Sequence, residues 1–452
     1  MEKSLTDGNI AKSLALFSLP MILGNLLQQL YNVADTLIVG RAIGAAALSA
    51  VGSSYALMVL LTSVILGLCM GSGVVFAQLY GAKQLHRMKT GICNAFLFIL
   101  AVTVLINILS YILLENFIAW LHIPAQATAY TRTYLQIIFA GIPFVFIYNF
   151  LASVLRSVGN TAVPLAFLAV SAVTNIVLDL VFILCFDMHV AGAAWATVIA
   201  QALSAVSMAV YFFAVARPLC PGREHMHRDK QLLQLIGSNS SLTAVQQSIM
   251  NLGILMVQGL VNSFGFAASA AFAAVVKIDA FAYMPAQDFG NAFSTFIAQN
   301  FGAGKVQRIR KGTRIALGIS CAFCAAASVC VVVFARPLML LFVKAEETEI
   351  IRIGVQYLHI EGACYVGIGV LFLLYGLYRG LGKAMMSVVL TVVSLGSRVL
   401  LAYGLAALPG VGLPGIWWAV PIGWALADAL GLWVYFKQSK KGGHCLEPPC
   451  SG

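Results

Sequence analysis

Charge is scarce in this chain. Of 452 residues only 10% are charged, while 61% are hydrophobic. A soluble domain carries about 25% charged residues, so a water-soluble globule is excluded. Hydrolytic signatures are missing too. No HExxH, GxSxG or Walker glycine loop occurs, and His86, His122, His189 and His359 are scattered, so an enzyme is not expected. The ten cysteines make no disulfide framework. Cys69, Cys185 and Cys330 sit inside apolar runs. Cys321 and Cys324 form a CxxC, but within an apolar run and without a second pair or a histidine, so no metal or redox role is read there. Cys445 and Cys450 fall in a short Gly/Pro tail expected to be disordered. No secretory leader is read at the start, because Met1 to Lys12 is polar and the first apolar stretch is long, without a small-residue cleavage pattern.

What is present is a series of apolar runs, each long enough to cross a bilayer as a helix. Twelve are read, at roughly 14–40, 48–76, 90–114, 133–157, 163–186, 190–216, 236–262, 268–298, 314–341, 352–378, 384–408 and 413–436. Several exceed 25 residues, so tilt or kinks are expected. The formal charge of +11 does not point to nucleic acid, because the basic residues lie in the short loops. Of the 27 Lys and Arg, Lys277 and Arg398 fall inside spans, 20 lie on one side of the membrane and 5 on the other. Basic loops stay cytoplasmic, which places both termini in the cytoplasm.

The two halves of the chain resemble each other. Ala77-Gln-Leu-Tyr-Gly-Ala82 matches Ala298-Gln-Asn-Phe-Gly-Ala303 at an offset of 221. Leu155-Arg-Ser-Val-Gly159 matches Tyr378-Arg-Gly-Leu-Gly382 at 223, and the same shift lays Gly192 on Gly415 and Trp195 on Trp418. Each half holds six spans. Six is even, so both halves enter the membrane from the same side and repeat about an axis along its normal. The expected fold is an all-α integral membrane protein of twelve transmembrane helices in two pseudo-symmetric six-helix lobes. The expected divisions are 1–216, a cytoplasmic linker 217–235, 236–436 and a tail 437–452. Rocking of the lobes about a central cavity is the expected mode of action, with a static channel or scaffold as the alternative.

These residues resemble the MATE (multidrug and toxic compound extrusion) family over nearly the whole chain. Leu19-Pro20, Asp35 and Val39-Gly40 in the first span, the repeated 77–82 and 298–303 motif, and Leu155 to Asn160 followed by Pro164 carry the resemblance. Span seven offers Gln246, Gln247, Asn251, Gln258 and Asn262 but no carboxylate, which is similar to the DinF-like prokaryotic branch. The resemblance implies a cofactor-free antiporter of the inner (plasma) membrane. It would export drugs or toxic metabolites against Na⁺ or H⁺, with membrane lipid as its surroundings, no nucleic-acid partner and a monomeric state.

Charge at mid-bilayer costs about 2.5–3.5 kcal/mol on insertion scales, so intramembrane acids need an interior, a partner or water. Asp35 and Asp179 are the two acids of the N-terminal spans. Asn175 lies one turn before Asp179 on the same helix face, and Thr197 lies near the start of span six. Counted from the span ends, Asp35, Asp179 and Thr197 fall about 10 Å below the outer surface. Such a group suits a Na⁺ or a proton shared between carboxylates, and the resemblance carries the family's cation site onto these four positions. The second half has Met256, Arg398, Ala402 and Val420 in their places, so the fold does not require the acids there. The alternative is that they are hydrogen-bonded packing residues.

Other intramembrane charges are Lys277, Asp279, Asp288, Glu361, Arg398 and Asp428. Both signs occur, so mutual pairing is expected, Glu361 with Arg398 in particular. Asp288 lies near Tyr283, Met284 and Phe289, and aromatic and Met side chains suit apolar cations, which makes these four a candidate substrate contact. Pro20 and Pro164 are candidate hinges. Arg156 and Arg379, related by the repeat, are expected to pair or to meet lipid phosphate. The competing function is a flippase for a lipid-linked or polysaccharide precursor, for which a more cationic cavity would be expected.

Overall fold

A computed structural model describes residues 4–120, 123, 125–408 and 411–440; the tail beyond 440, with Cys445 and Cys450, and His122 lie outside it. Among the described residues no strand occurs. The first half runs α1 (Ile10–Ala42), α2 (Ala45–Gly81), α3 (Leu85–Ile112), α4 (Leu114–Trp120), α5 (Ala125–Phe139), α6 (Ile142–Ser157), α7 (Ala162–Leu180) and α8 (His189–Ala214). The second runs α9 (Lys230–Asn262), α10 (Phe266–Gly302), α11 (Val306–Val333), α12 (Ala335–Leu340), α13 (Thr348–Ile360), α14 (Tyr365–Gly380), α15 (Ala384–Ala406) and α16 (Gly412–Lys440). Eleven continuous helical stretches are long and apolar enough to cross a membrane, α13 and α14 forming one of them; α5 and α6, bent by 44°, supply a twelfth. The span read from 133 is therefore a broken one that begins several residues earlier.

Pro143 explains the break. It has no N–H to give the carbonyl of Phe139, and that carbonyl accepts instead from Asn107 Nδ2 at 2.6 Å. The broken helix thereby keeps its backbone satisfied inside the apolar interior, as a bilayer demands.

The repeat extends to lengths and turns. Helices α1 and α9 each have 33 residues, α2 and α10 37, α3 and α11 28, and α6 and α14 16. The turn after α2 places Lys83 at φ 58, and its counterpart after α10 uses Gly304 at φ 68. The left-handed turn is thus retained even where the residue carries a Cβ, an uncommon conformation outside glycine.

The chain forms two compact units. One holds Leu19–Ala244; the other holds Ser4–Ser18 and the chain from Val245 onward. Helices α1 and α9 are each divided between the units. The first changes membership next to Pro20, the second within Thr243 to Gln246.

In the first unit the core gathers Phe76, Phe139, Phe146 and Phe150 with Leu135, Ile99 and Leu155. Gly67 and Gly71, spaced as in small-xxx-small helix contacts, bring α2 against the first half of α9. A Cβ on Gly71 would lie 2.5 Å from Ser240 Cα, and one on Gly67 would collide with Ala244 Cα. In the second unit Phe272 stacks on Trp417 at 5.8 Å, and Tyr357 meets the same indole edge-on at 4.8 Å. The segment before α1 is latched to the α10–α11 turn of this unit. Leu5 N donates to Gln299 Oε1 at 2.9 Å, Lys305 Nζ to Asp7 Oδ1 at 2.8 Å, and Arg308 to the carbonyls of Asp7 and Gly8. Large apolar side chains such as Leu97, Phe213 and Leu400 point outward. Such a surface belongs in lipid rather than water.

Candidate functional site

Three helices of the first unit bring the candidate site together. Asp35 comes from α1, Asn175 and Asp179 from α7, and Thr197 from α8. Asp179 is wholly buried, Asn175 is 2% exposed and Asp35 9%; Thr197 is half-buried. Asp35 and Asp179 lie near enough to interact with each other electrostatically. Asn175 Nδ2 donates to Thr197 Oγ1 at 3.3 Å, and that hydroxyl donates to the carbonyl of Ala193 at 3.0 Å. The i, i+4 spacing of Asn175 and Asp179, legible in the sequence, is what puts both on one face of α7.

The oxygens of this group are short of donors. Asp35 Oδ1, both oxygens of Asp179 and Asn175 Oδ1 receive no hydrogen bond from a described residue. Buried carboxylates left this way are costly. A proton between the two acids, or a cation held by acids, amide and hydroxyl, removes the cost with the oxygen donors a hard cation prefers. The surroundings are apolar. Val39, Tyr134, Ile138, Ile183, Val190, Ala193 and Val198 pack as one cluster about the site.

Two features were not read from the sequence. Tyr134, buried on α5, lies near enough to interact electrostatically with both acids, and Tyr31 lies near Asp35. Tyr31 could have been found, one turn before Asp35 on α1. Tyr134 could not, because the bend of its span hid its depth. The second feature is a π-helical turn, Val181–Cys185, starting two residues beyond Asp179. Such turns are rare and frequent at functional sites. Helix α15, the repeat counterpart, ends without one.

The second unit differs from the first at the counterparts of these four positions. Position by position the substitutions hold: Ala402 and Val420 are buried apolar residues, and Met256 is exposed. Yet this unit buries acids of its own, Asp279 from α10 and Glu361 at the end of α13. Tyr357 donates to Asp279 Oδ2 at 2.6 Å, and Tyr365 donates to Oδ1 of the same carboxylate. Tyr357 is the repeat counterpart of Tyr134, so both halves set a buried tyrosine beside acid. The expected pairing of Glu361 with Arg398 is not found. Arg398 lies near both acids, but no ion pair joins it to either among the described residues. Lys277 is exposed, two residues from buried Asp279, and takes no part.

The candidate substrate contacts lie on one stretch of α10. Asp288 and Phe289 are buried within the second unit, while Tyr283 and Met284 are half-buried. The Tyr283 ring meets Phe372 at 6.1 Å. The expectation of lipid phosphate at Arg379 is corrected: its side chain is buried and donates to Asn291 Oδ1 at 2.7 Å and Ser294 Oγ at 3.3 Å. Pro20 stands inside α1. Pro164 stands in the first turn of α7, where a missing N–H breaks no helical bond, and its carbonyl accepts from the Tyr148 hydroxyl at 2.9 Å.

The MatE family profile matches residues 20–181 and again 243–404, a shift of 223, the repeat seen in the sequence. The probable multidrug resistance protein YpnP of Bacillus subtilis (strain 168) is 32% identical over 393 residues, 86% of each chain. The multidrug export protein MepA of Staphylococcus aureus (strain NCTC 8325 / PS 47) is 22% identical over 95% of each. Among solved structures, a MOP superfamily transporter from Pyrococcus furiosus superposes with a TM-score of 0.91 at 22% identity, covering 96% of this chain and 97% of that one. An outward-facing multidrug resistance MATE family transporter does so at 0.90, with the same identity and coverage. The fold is theirs.

Proposed function

The chain belongs to the MATE family of membrane transporters, and from that premise we propose that it is a secondary active multidrug antiporter. It exports organic, cationic or amphipathic compounds in exchange for Na⁺ or H⁺ by alternating access. The observation that carries the reading is the meeting of Asp35 and Asp179 in an apolar interior, beside Asn175 and Thr197, with buried oxygens short of donors. A site of this kind changes its electrostatic state when one ion arrives, which is what coupling needs.

Asp35, Asn175, Asp179 and Thr197 hold the coupling ion. One ion falling through 100 mV releases about 2.3 kcal/mol, enough for a substrate gradient of tens-fold. Binding there repacks α1, with Pro20 as the hinge; the change of unit membership next to that proline supports the choice. The placement of Pro164 does not favour a second hinge. Asp288, Tyr283, Met284 and Phe289 contribute to substrate recognition.

The repeat halves, 1–216 and 236–436, act as functional lobes joined by 217–235, with 437–452 as tail. Both termini face the cytoplasm, the protein works as a monomer in the plasma (inner) membrane, and lipid rather than nucleic acid surrounds it. Buried acid at the proposed coupling site supports export of cations over flipping of a polyanionic lipid-linked precursor.

The test is ethidium or norfloxacin efflux from proteoliposomes, with Na⁺ and pH gradients imposed separately. One of the two gradients drives efflux by the native protein, and neither does so for Asp35→Asn. Full efflux by that variant would overturn the assignment.

A further inference from the structure

The segment leading into α9 carries a cluster that transport does not use. His86 opens α3, and Glu224 and His225 belong to a single 3₁₀ turn of the linker, Arg223–His225. The nearest ligand atoms of all three residues lie within 4.8 Å of one another. The two imidazole rings lie with centroids 4.5 Å apart, their planes tilted by 41°. His225 is 3% exposed, whereas His86 and Glu224 are exposed.

We propose that His86, Glu224 and His225 form a binding site for one divalent transition-metal ion of the Zn²⁺ class, which clasps the linker to the start of α3. Two imidazoles and one carboxylate are a borderline-soft donor set suited to Zn²⁺, Co²⁺ or Ni²⁺, and they leave a fourth position for water. The geometry fits. His225 Nδ1 and Glu224 Oε1 are 3.6 Å apart. Bonds of about 2.0–2.1 Å to a tetrahedral ion would set them about 3.3 Å apart. The remaining closure falls on His86 and Glu224, whose exposed side chains are free to turn. His225 Nδ1 now accepts from the Gly222 amide at 3.1 Å; Gly222 is exposed, so that N–H passes to water when the ion arrives.

The repeat supplies an independent reason. An offset of 220 lays α1 on α9 and Leu5 on His225, and both residues are almost fully buried. In the second unit the segment before α1 is tied down directly, by Lys305 and Arg308 reaching Thr6, Asp7 and Gly8. In the first unit Gln84 stands where Lys305 stands and Arg87 where Arg308 stands, and Arg87 donates a long 3.4 Å bond to Gln84 Oε1. The lysine of that tie thus has no counterpart in the first unit, where two imidazoles and a carboxylate stand beside the turn instead, and a metal ion restores the positive charge that the lysine supplies in the other half.

Zn²⁺ is titrated into purified, chelator-treated protein carrying no histidine tag, followed by calorimetry and by competition with a fluorescent chelator. One Zn²⁺ binds per chain. His86→Ala and Glu224→Gln, both at exposed positions, leave metal-free thermal stability unchanged and each weaken binding at least about tenfold. Co²⁺ in place of Zn²⁺ shows the visible absorption of a four-coordinate ion, and His86→Ala abolishes it. His189→Ala, which removes the imidazole beside Asp187 in another loop, changes nothing. Binding that survives both His86→Ala and Glu224→Gln, or binding lost in His189→Ala, overturns the proposal, as does absence of Zn²⁺ binding to the native chain.

Discussion

Asn175 Nδ2 donates to Thr197 Oγ1 at 3.3 Å, while the amide oxygen of Asn175 receives no hydrogen bond from a described residue. In the proposed coupling site the amide and hydroxyl join the oxygens of Asp35 and Asp179. Replacing either acid by its amide removes the charge at nearly constant volume. Asp35→Asn and Asp179→Asn are expected to abolish drug resistance in a sensitive host while membrane expression stays at the native level. Thr197→Ala frees the Asn175 amide and is expected to raise the ion concentration needed for half-maximal efflux without abolishing it. Resistance at native levels in both acid variants would remove the coupling role.

The crossing of α2 and α9 depends on absent side chains. A Cβ on Gly71 would come within 2.5 Å of Ser240 Cα, which is backbone and cannot turn aside. Gly71→Val is expected to cost about 1–3 kcal/mol as overpacking and to lower the midpoint of thermal unfolding in detergent. Gly237→Ala, where a Cβ meets nothing within 4 Å, is the matched control and should leave the midpoint in place.

Asp279 holds its position through two phenols. Tyr357→Phe and Tyr365→Phe keep the rings, including the edge of Tyr357 on Trp417, and remove one donor each from a buried carboxylate. Each is expected to cost about 1–3 kcal/mol, read as a lower unfolding midpoint. The double variant should fall short of the sum, because both donors serve one acceptor.

The latch before α1 should respond to acid. The hydrogen bond from Lys305, then that from Thr6, holds the Asp7 carboxyl below its ordinary value near 3.8. A depressed native value means the contribution is fully present above that ordinary value and is lost as pH falls through the lower native one. Hydrogen exchange at residues 5–9 should therefore be slower in the native protein than in Asp7→Asn at neutral pH, and the difference should vanish in strong acid. A difference that grows on acidification would contradict the ion pair with Lys305.

Asn107 serves the break between α5 and α6. The side chain replaces the N–H that Pro143 cannot give to Phe139, so Asn107→Ala leaves a carbonyl unsatisfied in an apolar setting. A cost of about 1–3 kcal/mol is expected, and Pro143→Ala in the same chain should recover part of it by restoring the helical donor.

Span number, membrane class and duplication were legible in the sequence, because apolar run length, basic-loop bias and a shift of 223 are properties of the linear order. The acids of the first half were legible for the same reason, since charge inside an apolar run stands out wherever the helix later packs. Three-dimensional packing decided the rest. It brought Tyr134 to Asp35 and Asp179 across a bent span, gave Asp279 two tyrosines from the α13–α14 stretch instead of a cation, and left Arg398 near Glu361 without an ion pair. It also divided α1 and α9 between two units. A hydropathy pattern records how deep a residue lies, but the azimuth of each helix is chosen by packing against neighbours far away in the chain, and that choice determines which buried groups meet.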